Sequence, residues 1–362
     1  MRIKYIKFIT AFAILTLTLT ACSNTAKKNT TPESNQNQTE SKKSVEEGSH
    51  FYYTANESGS VSKLDATTNE VVDTIKEADG APHNVQVSTD GKVVSYTLAA
   101  KMTENQSKDG NMDMNMNMNG FAMFYDTDTG KLIKKVEVGK HPAHVAFTDD
   151  GKYVLVTNNE DNNVSVIDAK NYKIINTIAV GKGPHGFRIS KDSKFAYVAN
   201  MGEDTINVVD IENNTEVKKI KVGNTPVTTG ITSDGKTLVA TVNSENVLAI
   251  IDLSSDKVEK VSVGKGPAQV YIEHDDKYAF VANQGTEDAP SNTVSKIDMA
   301  TKKVVATIET GNGAHGVVVS PDNKYVYVTN MYDGTVSVID NSSDKVIKTT
   351  KVEGEPNGIS YR

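Results

Sequence analysis

An aspartate recurs along this chain at Asp65, Asp126, Asp168, Asp210, Asp252, Asp298 and Asp340, and the successive spacings are 61, 42, 42, 42, 46 and 42 residues. A repeat of that length restricts the fold more than any local propensity does. One unit, 184–223, reads PHGFRIS, then FAYVAN, then INVVD, then VKKIKVG. These are four short runs rich in β-branched and aromatic residues, separated by turn residues such as Asp, Asn and Gly. Four strands per unit of about 42 residues make a propeller blade rather than a solenoid coil. Seven copies therefore predict an all-β chain, a seven-bladed β-propeller of four-stranded blades. The spacings of 61 and 46 mark one large and one small insertion.

The register of the two ends predicts how the ring closes. The folded part opens on FYYTAN at 51–56, which aligns with the second strand of a blade, and ends on PNGISY at 356–361, which aligns with the first. One blade is then built from both termini, and no strand edge is left open between first and last blades.

The units YVTN at 327–330 and LVTN at 155–158, each preceded by a DNK or DGK turn, resemble repeats of the YVTN family. The resemblance spans essentially all of 50–362 and implies architecture without implying an activity, since propellers host many. The chain has no tryptophan, which argues against tryptophan-aspartate repeats.

Ahead of the repeats lie Arg2, Lys4 and Lys7, and then an apolar run from Phe8 to Leu19. A basic segment followed by a short apolar one reads as a signal peptide, 1–21, too short for a membrane span of about 20 apolar residues. The run ends in LTAC at 19–22, which resembles the lipobox of bacterial lipoproteins. That resemblance implies a diacylated Cys22 as the mature N-terminus, and so a lipid-anchored protein on the extracytoplasmic side of the cell membrane. From Ser23 to Ser49 the chain is Asn, Gln, Thr, Ser, Lys and Glu with almost nothing apolar. With Cys22 this makes a disordered tether over 22–49, long enough to hold a domain roughly 30 Å from the membrane.

Composition narrows the chemistry. Cys22 is the only cysteine, so once lipidated it leaves no disulfide, thiol nucleophile or thiolate metal site. Without the signal the chain keeps 36 of its 39 lysines and arginines against 46 acids, a surface that repels phosphate backbones. Nucleic acid is not an expected partner.

Strands in a blade alternate in direction. The loop before strand one and the loop between strands two and three therefore share one end of the channel, called the top here. His83, His185 and His315 occupy the same position at the start of strand one, and His144 is shifted by one residue. Strand one is innermost, so all four are expected at the channel mouth. The large insertion, 101–119, falls between strands two and three of the His83 unit, also on the top. It carries Met102 and then Met112, Met114, Met116 and Met118 at every second position. Met201 and Met331 sit in the equivalent loops of two other blades. Thioether sulfur is a soft ligand suited to Cu(I), and imidazole takes either oxidation state of copper. The competing readings are an imidazole hydrogen-bonded to a neighbouring blade's backbone, and low-complexity drift in the methionine stretch. The arrangement is similar to nitrous-oxide reductase, a seven-bladed propeller whose inner-strand histidines hold a copper cluster. Four histidines and no separate electron-transfer domain do not carry that activity over.

Other chemistries find less. A Cys-x-x-Cys-His haem attachment cannot exist here. Arg188 and Gln86 fall on the polar register of strand one, as a propeller lactonase would need, but no general-base pair accompanies them. The seven aspartates and the repeated Asn56, Asn158, Asn200, Asn243, Asn283 and Asn330 stand at strand ends, where such side chains bond turns. The bottom loops read as tight turns. Two function classes follow: a tethered copper-handling protein, or a metal-free platform for a protein or cell-wall partner.

Overall fold

In the computed structural model, residues 50–100 and 118–361 are described. They form seven antiparallel sheets of four strands each. Blade 1 combines residues 51–76 with Pro356–Tyr361; blades 2 to 7 span 80–140, 142–179, 184–221, 226–262, 267–309 and 314–351. In chain order within blades 2 to 7 the four strands run from the innermost, a, to the outermost, d. No α-helix occurs among the described residues; Asn243–Glu245 makes one 3-10 turn.

The closure predicted from the register is found. Pro356–Tyr361 pairs antiparallel with Phe51–Asn56 as strand a of blade 1 and packs on the first inner strand, Gly80–Val87, of blade 2. Each inner strand packs on the next around the ring.

The reason these residues make blades lies in their burial. Strand b is buried along five consecutive residues in blade after blade, as in Tyr153–Asn158 and Tyr325–Asn330. Such a strand is covered on both faces, so its sequence is a continuous apolar run rather than an alternating one. Strand d is covered on one side only, and Lys173–Ala179 is almost wholly exposed. The core is accordingly distributed. Seven hydrophobic clusters lie one to each interface between neighbouring blades, for example Leu155, Val164 and Val166 of blade 3 against Phe187, Val198 and Val209 of blade 4. No single blade buries its own faces, so stability is a property of the closed ring.

The recurring aspartates are structural. Asp65 Oδ1 accepts the backbone N–H groups of Thr67 and Thr68, and Asp168 those of Lys170 and Asn171. The buried asparagines act similarly but reach farther: Asn330 donates to Thr335 and Ser337 and accepts Gly311 N–H. Asn243 departs from this set, donating to the Pro267 carbonyl of the next blade. The large insertion is slightly shorter than the sequence predicts, since the chain re-enters its sheet at Asn119, which pairs with Lys140.

Candidate functional site

In every blade the pairing of strand a with strand b slips just after the strand begins. The slip lies between Pro82 and Val85 in blade 2, between Pro142 and Val145 in blade 3, and between Pro184 and Phe187 in blade 4. A bulge re-aims the side chains it contains. His83, His144 and His185 are those residues. The one-residue offset of His144 therefore does not take it to another face, because the ladder is already broken there.

Buried threonines of strand b stitch these bulges together. Thr157 Oγ1 accepts the His144 N–H at 2.9 Å and donates to the His185 carbonyl at 2.7 Å, joining blades 3 and 4. Thr97 does the same between blades 2 and 3, accepting Asn84 N–H at 3.1 Å and donating to the Ala143 carbonyl at 2.7 Å. The backbones beneath all three histidines are thus cross-linked by side chains that are themselves buried.

His83, His144 and His185 each offer one ring nitrogen within 4.8 Å of the others. His83 Nε2 and His185 Nε2 face each other at 3.1 Å. The far nitrogens are engaged. His83 Nδ1 lies 2.6 Å from Glu57 Oε1, and His185 Nδ1 lies 3.2 Å from the Val227 carbonyl. A carboxylate and a carbonyl only accept, so both Nδ1 atoms carry the proton; His185 Nε2 presents a lone pair, and His83 Nε2 presents one in the neutral ring but donates its N–H to His185 in the imidazolium paired with Glu57. His144 is buried, and its Nε2 has no hydrogen-bond partner.

Electrostatics match this geometry. Burial, with the charges of the neighbouring histidines, depresses His144 and His185 well below the usual imidazole range. His315 is lowered to about 4, chiefly by burial and then by His83, with Glu57 and the Asn357 carbonyl opposing. Burial would raise the Glu57 carboxyl, but the hydrogen bond and charge of His83, then His315 and Asn357, outweigh it and hold Glu57 at about 2.

Of the four histidines singled out in the sequence, three converge. His315, in blade 7, lies outside this group; its Nδ1 is 3.4 Å from the Asn357 carbonyl of the next blade, the same kind of backbone contact that His185 makes with Val227. Met118 stands half exposed, and Met331 Sδ accepts the Gln284 side-chain amide. Met102, Met112, Met114 and Met116, like Cys22, the signal segment and the tether, lie outside the described residues.

Three residues that sequence reasoning passed over belong to the site. Glu57 and Asn357 come from the two termini through blade 1, and Asn357 Nδ2 donates to Glu57 Oε1 at 2.6 Å. Glu57 follows Asn56 as Met201 follows Asn200, so its register on the top face could have been read. His141 sits edge-on to His83, with ring centroids 6.5 Å apart, and is close to Glu160. Its backbone is left-handed, at φ 47.

Three imidazoles with two of the far nitrogens engaged fit a first-row transition ion. Metal–nitrogen bonds of about 2.0 Å in tetrahedral geometry separate ligand atoms by roughly 3.3 Å, near the 3.1 Å between His83 and His185. Glu57 and the Val227 carbonyl would then be the outer partners that orient the rings.

The model of the YNCE-like beta-propeller family matches the chain over residues 113–290 and again over 287–361. A Choice-of-anchor I domain matches over residues 40–170. No curated protein matches the chain. Among solved structures, Kuenenia stuttgartiensis hydrazine synthase is similar at a TM-score of 0.67 and 23% identity, covering 79% of this chain and 91% of that one. Dihydro-heme d1 dehydrogenase NirN in complex with DHE gives 0.60 at 17% identity, covering 86% of this chain and 74% of that one. At such identities the likenesses concern the fold alone.

Proposed function

The chain belongs to the YNCE-like beta-propeller family, and from that premise we propose that it is a membrane-tethered extracytoplasmic metal-binding protein, handling copper at the top of its channel. The observation that carries this reading is the convergence of His83, His144 and His185, whose ring nitrogens lie within 4.8 Å of one another, with the Nε2 of His144 unpartnered. His83 Nε2 and His185 Nε2, 3.1 Å apart, hold either a shared proton or a metal ion between them. A metal ion in place of that proton also gives His144 its missing partner.

Among the ions that imidazole suits, Cu(II) stands highest in intrinsic affinity. The methionine series adds a preference for Cu(I), with Met112, Met114, Met116 and Met118 capturing the ion and the histidines receiving it. The basic and apolar leader and the LTAC sequence at 19–22 support a lipid anchor at Cys22, with 22–49 as tether. His83, His144 and His185 bind, Glu57 orients His83, and the Val227 carbonyl orients His185.

Chelator competition on the full chain tests the reading. Replacing His83, His144 and His185 by alanine should weaken Cu(II) binding by at least about a hundredfold, well beyond the effect of His315→Ala. Replacing the four methionines by leucine should weaken Cu(I) binding and spare Cu(II). If wild type and the triple-histidine variant bind copper equally poorly, copper handling fails and a metal-free platform for a protein or cell-wall partner takes its place. Zinc binding with the same histidine dependence, and copper binding without it, would keep the site and reject the metal.

A further inference from the structure

The inner strands line the channel at its other end too, four residues after the position of the bulge-leading proline. The seven residues at that register are Gln86, Arg188, Tyr271 and Ser360, with alanine, glycine and valine at the other three. A repeat makes this a ring, one residue from each blade. Only one of the seven is charged.

Arg188 is poorly satisfied for a guanidinium. Its Nη1 donates to the carbonyl of Phe187 at 3.2 Å, and its Cζ lies 5.7 Å from the centre of the Tyr271 ring. No carboxylate comes within ion-pair distance of it among the described residues. The group stays charged at any physiological pH and has five N–H donors in a planar fork. Arg188 lines a cavity of two lobes. One lobe, about 150 Å³, is lined by Gln86, Phe147, Arg188, Tyr271 and Ser360. A second lobe, about 290 Å³, shares Arg188 and Tyr271 and opens towards Lys191 and Glu273. The acids of the outer lobe have other partners. Asp276 accepts Ser233 N–H at 2.9 Å, and Glu273 accepts the Asn341 amide at 3.0 Å. Asp149, on the rim of both lobes, is the acid that could compete.

We infer that this bottom-end cavity is a second binding site, for a small planar carboxylate that takes the Arg188 fork and packs against Tyr271. Arginine pairs with carboxylate through two parallel charge-assisted bonds, and Gln86 and Ser360 add neutral donors beside it. Phe147 and Tyr271 supply flat apolar walls. The inner lobe is smaller than a drug-sized pocket, which restricts the ligand to about the size of a substituted benzoate. This site shares no residue with the histidine cluster, so it stands whether or not that cluster binds metal.

Isothermal titration of the full chain with benzoate, and with benzamide as its uncharged counterpart, reads the site. Benzoate should bind at one equivalent and benzamide at least about tenfold more weakly. Arg188→Gln should lose benzoate binding by about tenfold or more while its thermal midpoint shows a folded ring, and Arg188→Lys should keep only part of the affinity because it keeps charge without the fork. Asp149→Asn should bind as well as wild type or better. The triple-histidine variant should bind benzoate as wild type does, which separates this site from carboxylate ligation of a top-end metal. Equal binding of benzoate and benzamide, no loss in folded Arg188→Gln, binding that disappears with the three histidines, or binding seen only after Asp149→Asn would each overturn the inference.

Discussion

The two ends of the channel are built by the same seven inner strands, yet they differ in how firmly each holds its polar groups. At the top, two of the three imidazoles are already held from behind, His83 by Glu57 and His185 by the Val227 carbonyl, and the inner strands that carry all three are tied together by Thr97 and Thr157. At the bottom, Arg188 has one hydrogen bond, to its own neighbour's carbonyl, and an open cavity before it. The first arrangement matches what the proposed ion requires, since its ligands must meet within tenths of an ångström. The second suits a ligand that brings its own acceptors. What separates them is the bulge, which lies in the top half of each inner strand and lets successive blades turn different residues to the same point. Below it the ladder is regular, and each blade offers one residue at one height.

The largest perturbation removes both ends together. Deleting residues 356–362 takes Asn357 from the top and Ser360 from the bottom, and leaves the strand Phe51–Asn56 without its inner partner. Residues 356–360 are buried throughout. Thermal unfolding followed by circular dichroism should lose its cooperative transition or move down by more than about 10 °C, whereas deleting 23–49 should shift it by less than about 2 °C. Equal small shifts would mean that the ring does not depend on its closing strand, and the comparison of two ends on one rigid channel would lose its basis.

A narrower change should break one end only. Thr157→Val keeps the shape of the side chain but removes both the acceptor of His144 N–H and the donor to the His185 carbonyl. Stability should fall by about 1–3 kcal/mol, and metal affinity by roughly ten- to hundredfold, with benzoate binding unchanged. Thr241→Val is the control. It removes the same rung between Thr228 and the Ala268 carbonyl, on inner strands without histidine, so it should cost similar stability and no metal affinity. If both variants bind metal alike, the threonines hold the ring and do not preorganise the site.

The smallest effect concerns pH at the bottom end. In other blades the first turn is closed by a Ser or Thr that bonds an aspartate two residues on, as Ser320 bonds Asp322. Blade 6 has Glu273 there. Burial raises its carboxyl to about 7, with Asp275 adding and Asn341 and Lys296 opposing. The folded protein then holds a proton that the unfolded chain has released, so wild-type stability should fall as pH rises from about 4.5 to about 7 and level off above. Glu273→Gln should remove that fall, gaining about 1–2 kcal/mol over wild type at pH 8 relative to pH 5 once water in the adjoining cavity is allowed for. Parallel denaturant titrations at the two pH values measure it. A pH-independent difference between variant and wild type would show that Glu273 is ionised on both sides of the range.

Much of this was legible in the chain itself. The repeating aspartates, the apolar strings of strand b and the complementary registers of 51–56 and 356–361 determined seven blades and their closure, because each is a local pattern repeated at a fixed period. The same period placed His83, His144, His185 and His315 at one mouth. It could not say that three of them converge while His315 turns to the Asn357 carbonyl, since that depends on which blades are neighbours and on where each bulge aims its residue. Glu57 and Asn357 were hidden because they lie 300 residues apart and meet only when the termini share a blade. Arg188 could be assigned to the polar register of its strand, but whether an acid faced it was a question of six other strands. Sequence periodicity reports what every blade has in common. The tertiary structure alone decided which side chains meet, because both proposed sites are made of the positions at which the blades differ, brought together around one axis.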